Sequence, residues 1–177
     1  DVSSAADVAR VVAHASGRYG RIDGVVNNAA IGPLGTVLDT DESAFDRIVA
    51  VNLRGPYLMA RAVLPGMIAQ GGGRIVNIGS GAGYGKHNMA VYTATKAGLH
   101  GLTMALAYDH FHQHVAANLV IPGGGGIVTG MSLGRAGGDS PEHVERVQAE
   151  DGRGRERHDV VARVGGESAR SRVCFNM

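Results

Sequence analysis

The sequence holds a single cysteine, Cys174. An intrachain disulfide is therefore excluded, and a reducing compartment is the natural setting. Surplus charge is also missing: 17 basic residues face 16 acidic ones, for a formal charge of +1. Electrostatics thus offers no reason to expect a nucleic acid or an anionic membrane as partner. No uninterrupted apolar run approaches the roughly 18 residues of a membrane-spanning helix. The N-terminus has no basic region followed by an apolar one. These absences lead to the expectation of a soluble, cytoplasmic protein. Glycine, by contrast, is abundant: 28 of 177 residues, about twice the usual share of roughly 7%. Many of these glycines close apolar runs, where tight strand-to-helix turns need them. The length accommodates one domain with a real core and is too short for two.

Apolar periodicity divides the chain. Residues 4 to 19 place Ala5, Val8, Val11, Val12, Ala15 and Tyr19 at helical spacing, with Ser3 or Ser4 as cap and Gly20 as stop. Arg21 to Ala30 has the β-branched core of a buried parallel strand and ends in two asparagines and small residues, as a ligand-facing turn requires. After the loop IGPLGTVLDT, apolar positions from Asp41 to about Gln70 recur every three or four residues. This predicts a long helix, kinked or broken at Gly55-Pro56, where proline removes a backbone donor. Gly71 to Gly73 end it, and RIVNIG at 74 to 79 is a second buried strand. A third helix is expected over 91 to about 112, and a third strand over 115 to 123, closed by Pro122 and a run of glycines. Helices alternating with strands predict an α/β domain whose parallel strands are joined by helical crossovers. After Thr129 the pattern decays into a segment rich in Gly, Arg and Glu, within which SPEHVERVQAE can form one short helix.

Chemistry concentrates in Ser80 to Lys96, SGAGYGKHNMAVYTATK. Tyr92 and Lys96 stand at i and i+4, on one helix face. A phenol has a reference pKa of about 10, so its use as acid or base near neutrality needs a nearby cation, which Lys96 can supply. Ser80, at a strand end, can hydrogen-bond a substrate oxygen while Tyr92 exchanges a proton with it. The plain alternatives are a surface Tyr-Lys pair and a serine that caps a turn. Gly79, Gly83 and Gly85 mimic a dinucleotide loop. Against that reading, the next strand ends in Ile121-Pro122, with no carboxylate for a ribose. His110, His112 and His114 raise a metal reading, but helical geometry puts only the first and last on one face, so no metal is expected. GRGRER at 152 to 157 reads as a solvated loop and not as a nucleic-acid contact.

Four segments in order resemble the short-chain dehydrogenase/reductase family, of the single-domain kind. YTATKAGL at 92 to 99 resembles its Tyr-x-x-x-Lys segment, and RIVNIGSGAG at 74 to 83 the strand with its serine. VVNNAA at 25 to 30 resembles its Asn-Asn-Ala-Gly strand end, with Ala30 where glycine is usual. VNLRGPYLMARAVLPGM at 51 to 67 resembles the helix bearing a fourth catalytic residue, Asn52. Asp1-Val2 resembles the pair that contacts adenine.

The resemblance implies a partial doubly wound, Rossmann-like parallel sheet over residues 1 to 133, with 134 to 177 an irregular tail of the same domain. It implies an oxidoreductase using NAD or NADP to interconvert an alcohol and a carbonyl on a small molecule. Tyr92 would be general acid or base, and Ser80 would position the substrate. Lys96 would tune the tyrosine and hold the nicotinamide ribose, and Asn52 would support a water linking Lys96 to solvent. Asn28, Ala29 and Ala30 would line the adenosine and ribose side, and Pro122 and Gly123 the nicotinamide. Helices near 41 to 70 and 91 to 112 would pair in a homo-oligomer.

Departures from the family pattern are as specific as the matches. If Asp1 is the adenine-contacting residue, the family's first strand, glycine-rich pyrophosphate loop and second strand are not among these residues. The strand near 22 to 28 would then have an exposed edge. GGGGIV stands between the Pro-Gly turn and Thr129, and Gly154 to Ala162 resembles a family run with His158 in the place of proline. The competing expectation is a catalytically incompetent family fragment that keeps only the oligomerisation helices.

Overall fold

The computed structural model describes residues 1–122, 131 and 140–142. Helix α1, Ala5–Tyr19, starts where the Ser4 hydroxyl accepts the Asp7 amide at 3.2 Å and stops at Gly20, whose left-handed backbone (φ 80°) lets its N–H reach Ser16 O. Strand β1 is Gly24–Asn27, shorter than the apolar run around it. Helix α2, Glu42–Val49, is capped by Asp41, whose carboxylate accepts the Ala44 amide at 2.8 Å. That bond, with one from the Ser43 hydroxyl, holds the Asp41 carboxyl below its usual range.

The kink or break expected at Gly55-Pro56 takes a different form. The chain widens into a π-helical turn, Ala50–Arg54, in which the Gly55 N–H bonds to Ala50 O, and then continues as α3, Gly55–Ala69. Pro56 thereby falls in the first turn of α3, where its missing N–H costs least. A second proline, Pro65, sits inside α3 without ending it. Strand β2, Gly73–Ile78, leads through a 3₁₀ turn, Gly81–Tyr84, to α4, Ala90–His110. A second 3₁₀ turn, Phe111–Gln113, precedes β3, Val115–Val120.

The three strands are parallel in the order β1-β2-β3, with Asn27 opposite Asn77 and Ile75 opposite Ala117. Alternation decides which side of each strand is covered. Gly73, Ile75 and Asn77 of β2 and Val115 and Ala117 of β3 are buried, whereas Arg74 and Asn118 are exposed. The buried set meets Ala60, Val63 and Met67 of α3 and Ala107 of α4 in one cluster, Ile75 being fully buried and Met67 1% exposed. Truncating either residue to alanine removes about 2–5 kcal/mol. On the other side Val26 remains 55% exposed, and among the described residues β1 has no partner along its outer edge.

The α3-to-β2 turn is built on Gly72, at φ 142°, where an added Cβ would lie 2.6 Å from His114 O. Gly66, on α3, has nothing within 4 Å of such an atom. Gly72→Ala is expected to destabilise the fold by about 2 kcal/mol or more. Gly66→Ala should stabilise it by about 0.5–1 kcal/mol. Urea unfolding of the two variants beside the parent checks both signs.

Candidate functional site

Parallel strands deliver their carboxyl ends to one edge of the sheet, where α/β proteins place ligands. β1 ends there in Asn28 and Ala29, both exposed, and the partly buried Ala30. β2 ends there in Gly79 and Ser80, and β3 in Pro122; Gly123 and Thr129 lie outside the described residues. The first turns of α4 bring Tyr92 and Lys96 to the same edge.

Lys96 is 4% exposed, and its Nζ donates to Ile78 O at 2.7 Å. Burial lowers its pKa from 10.5 to about 8. The ammonium stands 5.7 Å from the centre of the Tyr92 ring, which is 8% exposed and packs with Ala82, Met89 and Met131. Ser80 lies two residues before Ala82, and its Oγ accepts the Ala82 amide at 3.2 Å. It is thus a turn cap, and that bond uses the oxygen and not the O–H donor. Of the glycines between Ser80 and α4, Gly83 serves packing and Gly85 supplies a positive φ of 116°. A Cβ on Gly83 would lie 3.3 Å from backbone atoms of Lys96 and Ala97, so only glycine lets this turn lie so close against α4. The next helix begins at Ala90 and not at the glycines, unlike a dinucleotide loop.

Asn52, 1% exposed, projects from the π-helical turn. Its Oδ1 accepts the Ile31 amide at 2.8 Å, and its Nδ2 donates to Ile31 O at 2.8 Å and to Thr95 Oγ1 at 3.1 Å. Thr95 in turn donates to Tyr92 O at 2.8 Å. Asn52 therefore ties the loop after β1 to the helix carrying Tyr92, and its amide is committed to Ile31 and Thr95. Below this tie runs another: Asn27 Nδ2 donates to Asn77 Oδ1 at 2.8 Å, and Asn77 Nδ2 to Thr103 Oγ1 at 2.9 Å. Apolar periodicity does not signal Thr95, Asn77 or Thr103. The parallel runs GVVN and RIVN, which place Asn27 and Asn77 opposite each other on paired strands, are the sequence trace of the lower tie.

Asp1 and Val2 precede the N-cap of α1. The Asp1 carboxylate accepts the Ser3 amide and hydroxyl at 2.9 and 2.8 Å and Arg47 Nη1 at 3.2 Å, while Val2 packs on Gly55. His110 Nδ1 lies 2.7 Å from Gln113 Oε1, and among the described residues no three metal-ligating side chains converge. Two concavities of about 400 Å³ lie at the opposite end of the strands, around Gln70 and Arg21, away from Tyr92. The chemistry of the carboxyl edge is the better guide to function, because a buried amine stands beside a buried phenol there. Small exposed residues at Asn28 and Ala29 and a buried cation beside a phenol fit the ribose and nicotinamide portions of a dinucleotide. Among the described residues no glycine-rich loop opens a helix to take the pyrophosphate.

Comparison with known proteins bears on the family and the fold. The short chain dehydrogenase family matches residues 1–135. The chain is 41% identical over 148 residues to 2-(S)-hydroxypropyl-CoM dehydrogenase 3 of Xanthobacter autotrophicus, covering 82% of this chain and 57% of that protein. It is 40% identical to acetoacetyl-CoA reductase of Allochromatium vinosum, covering 70% of this chain and 50% of the reductase. The chain thus spans about half the length of these relatives. A metagenomic short-chain oxidoreductase solved in complex with NADP superposes with a TM-score of 0.67 at 38% identity, over 70% of this chain and 57% of that one. No described helix is long and apolar enough to cross a membrane.

The depressed titration of Lys96 has a stability consequence. The unfolded chain keeps the proton up to about 10.5 and the folded one only up to about 8. Stability therefore rises with pH across that window, and the penalty, on the order of 3 kcal/mol, is fully present below it. Lys96→Met should be more stable than the parent at pH 7, with the gap narrowing toward pH 10.5 in urea unfolding. A gap independent of pH would contradict this.

Proposed function

The chain belongs to the short-chain dehydrogenase/reductase family, and we propose that Tyr92, Lys96, Ser80 and Asn52 form the proton-transfer site of an NAD(P)-dependent oxidoreductase. Its substrate is an alcohol or carbonyl on a small molecule. The observation that carries this reading is the Lys96 ammonium, 4% exposed and beside the buried Tyr92 ring. A phenol with a buried amine beside it is a pairing suited to acid–base work at an alcohol or carbonyl oxygen. Tyr92 takes the proton from the alcohol in oxidation and returns it to the carbonyl oxygen in reduction. Ser80 donates its O–H to that same oxygen. Asn52 holds the loop after β1 and, through Thr95, the backbone at Tyr92. Asn28, Ala29 and Ala30, with Asp1 and Val2, serve the adenosine side of the cofactor, and Pro122 and Gly123 the nicotinamide. When bound, the nicotinamide exchanges the hydride. A single cysteine, Cys174, fits a cytoplasmic setting.

Residues 134 to 177 are read as an irregular tail of this domain; apart from 140–142 they lie outside the described residues. For association, α4 presents Ala94, Ala97, Gly101, Ala105 and Tyr108, all exposed, along one stripe, and α3 presents Tyr57. Small residues let a second helix approach closely, so this face supports a homo-oligomer built on α3 and α4. The exposed small-residue stripe of α4 favours one second reading, a family member that assembles without catalysis.

Titration of the purified chain with NADH and NADPH, followed by cofactor fluorescence, separates the two. Saturable binding, with turnover of 2-hydroxypropyl-CoM or acetoacetyl-CoA, is the expected result, and Tyr92→Phe should cut turnover by about 10²–10⁴-fold with binding retained. No saturable binding at all would leave the assembly reading standing. Gly101→Arg should shift the chain toward monomer in sedimentation velocity, and an unchanged mass would remove α4 as the contact.

A further inference from the structure

Asn77 lies one residue before the end of β2, fully buried, where an amide is costly unless both its ends are bonded. Both ends are bonded, and to different elements: Asn27 of β1 at 2.8 Å and Thr103 of α4 at 2.9 Å. Thr103, 2% exposed, donates a hydrogen bond from its hydroxyl to Leu99 O at 2.7 Å, so its hydroxyl is held in one orientation. Thr95, Leu99 and Thr103 follow one another at i, i+4 and i+8 down the buried face of α4, with Lys96 beside Thr95. The strand residue after Asn77 is Ile78, whose carbonyl receives Lys96 Nζ at 2.7 Å.

Resting on the reading of Lys96 and Tyr92 as the proton-transfer pair, we infer that Asn77 and Thr103 are positioning residues. Their hydrogen bond fixes how far α4 lies along β2, and so the depth at which Lys96 meets the Ile78 carbonyl. An apolar contact in the same place tolerates a slide of a fraction of an ångström at little cost, whereas a directional bond does not. A helix is stiff at a rise of about 1.5 Å per residue, so a displacement at Thr103 reaches Lys96, roughly 10 Å away, undiminished. Asn52 acting on Thr95 is a second tie on the same helix face, closer to Tyr92. The two ties leave α4 little freedom to shift.

Lys96 reports its own depth. Burial is what lowers its titration; Tyr92, with its ring 5.7 Å from Nζ, and the exposed His100, one turn further on, are the titratable groups at i−4 and i+4 on the same helix. The chain contains two lysines, Lys86 and Lys96, and the exposed Lys86 serves as internal reference. With lysine labelled by ¹³C at Cε, NMR titration of the full chain follows both. In the parent, Lys96 is expected to titrate near 8.

Thr103→Val deletes the hydroxyl while keeping the shape, and should move the Lys96 midpoint up by about one pH unit as water reaches the amine. Thr103→Ser keeps the hydroxyl and should restore the parent value, with Lys86 unmoved throughout. Thr103→Ala, which leaves room for water, gives the same comparison should valine prevent folding. A folded variant lacking the hydroxyl whose Lys96 midpoint matches the parent overturns the inference, whatever its thermal stability. The readout needs no turnover, so a failure of the oxidoreductase reading and a failure of the positioning pair are seen separately.

Discussion

Everything at the carboxyl edge of the sheet depends on keeping one lysine amine out of water. Lys96 is 4% exposed, and its Nζ has Ile78 O as hydrogen-bond partner at 2.7 Å. An amine taken from water is costly unless its position is held, and a shift of a few tenths of an ångström either breaks its bond or lets solvent in. The surrounding structure consists of devices that prevent that shift. The π-helical turn aims Asn52 at Thr95, Gly83 lets the turn after β2 lie against Lys96, and Asn77 ties Thr103 to the strand. Each is a local departure from regular structure, or a buried polar group, that a domain built only for stability would not need.

The two faces of the sheet carry different loads. Helices α1, α3 and α4 gather over the face that holds Ile75, Ala117 and Val115, and the main core lies there. The other face keeps Val26 more than half exposed. Rigidity therefore comes from one side, the same side on which Asn77 and Asn52 make their bonds, so the polar ties run through the best-packed layer of the molecule. In such a layer the low effective dielectric strengthens a satisfied hydrogen bond and raises the cost of breaking one.

Much of the arrangement was legible in the sequence, and the reasons are specific. The spacing of Val8, Val11 and Val12, with Ser4 before them and Gly20 after, marks α1 to within a residue because caps and periodicity report the same helix. RIVNIG reads as a strand, and Tyr92 and Lys96 as neighbours on one face, because both follow from fixed repeats of the backbone. The end of β1 was less legible: Arg21 to Ala30 looks strand-like, but Gly24–Asn27 alone pairs, since pairing is settled by the neighbouring strand. The Gly55-Pro56 disturbance was visible, but its form was not. A proline states that a donor is missing, and whether the chain kinks or widens depends on what the turn packs against.

By itself the sequence determined the alternation of helices and strands, the family, and the pairing of a phenol with an amine one helical turn apart. These are properties of near neighbours, written in periods of two and of three to four residues. Only the tertiary structure decided that Lys96 points at Ile78 and is desolvated, that the Asn52 amide is committed to Ile31 and Thr95, and that Asn77 joins β1 to α4. Those facts join residues from 18 to 50 positions apart. Local backbone geometry cannot encode a distance that arises when the sheet and helices close on one core.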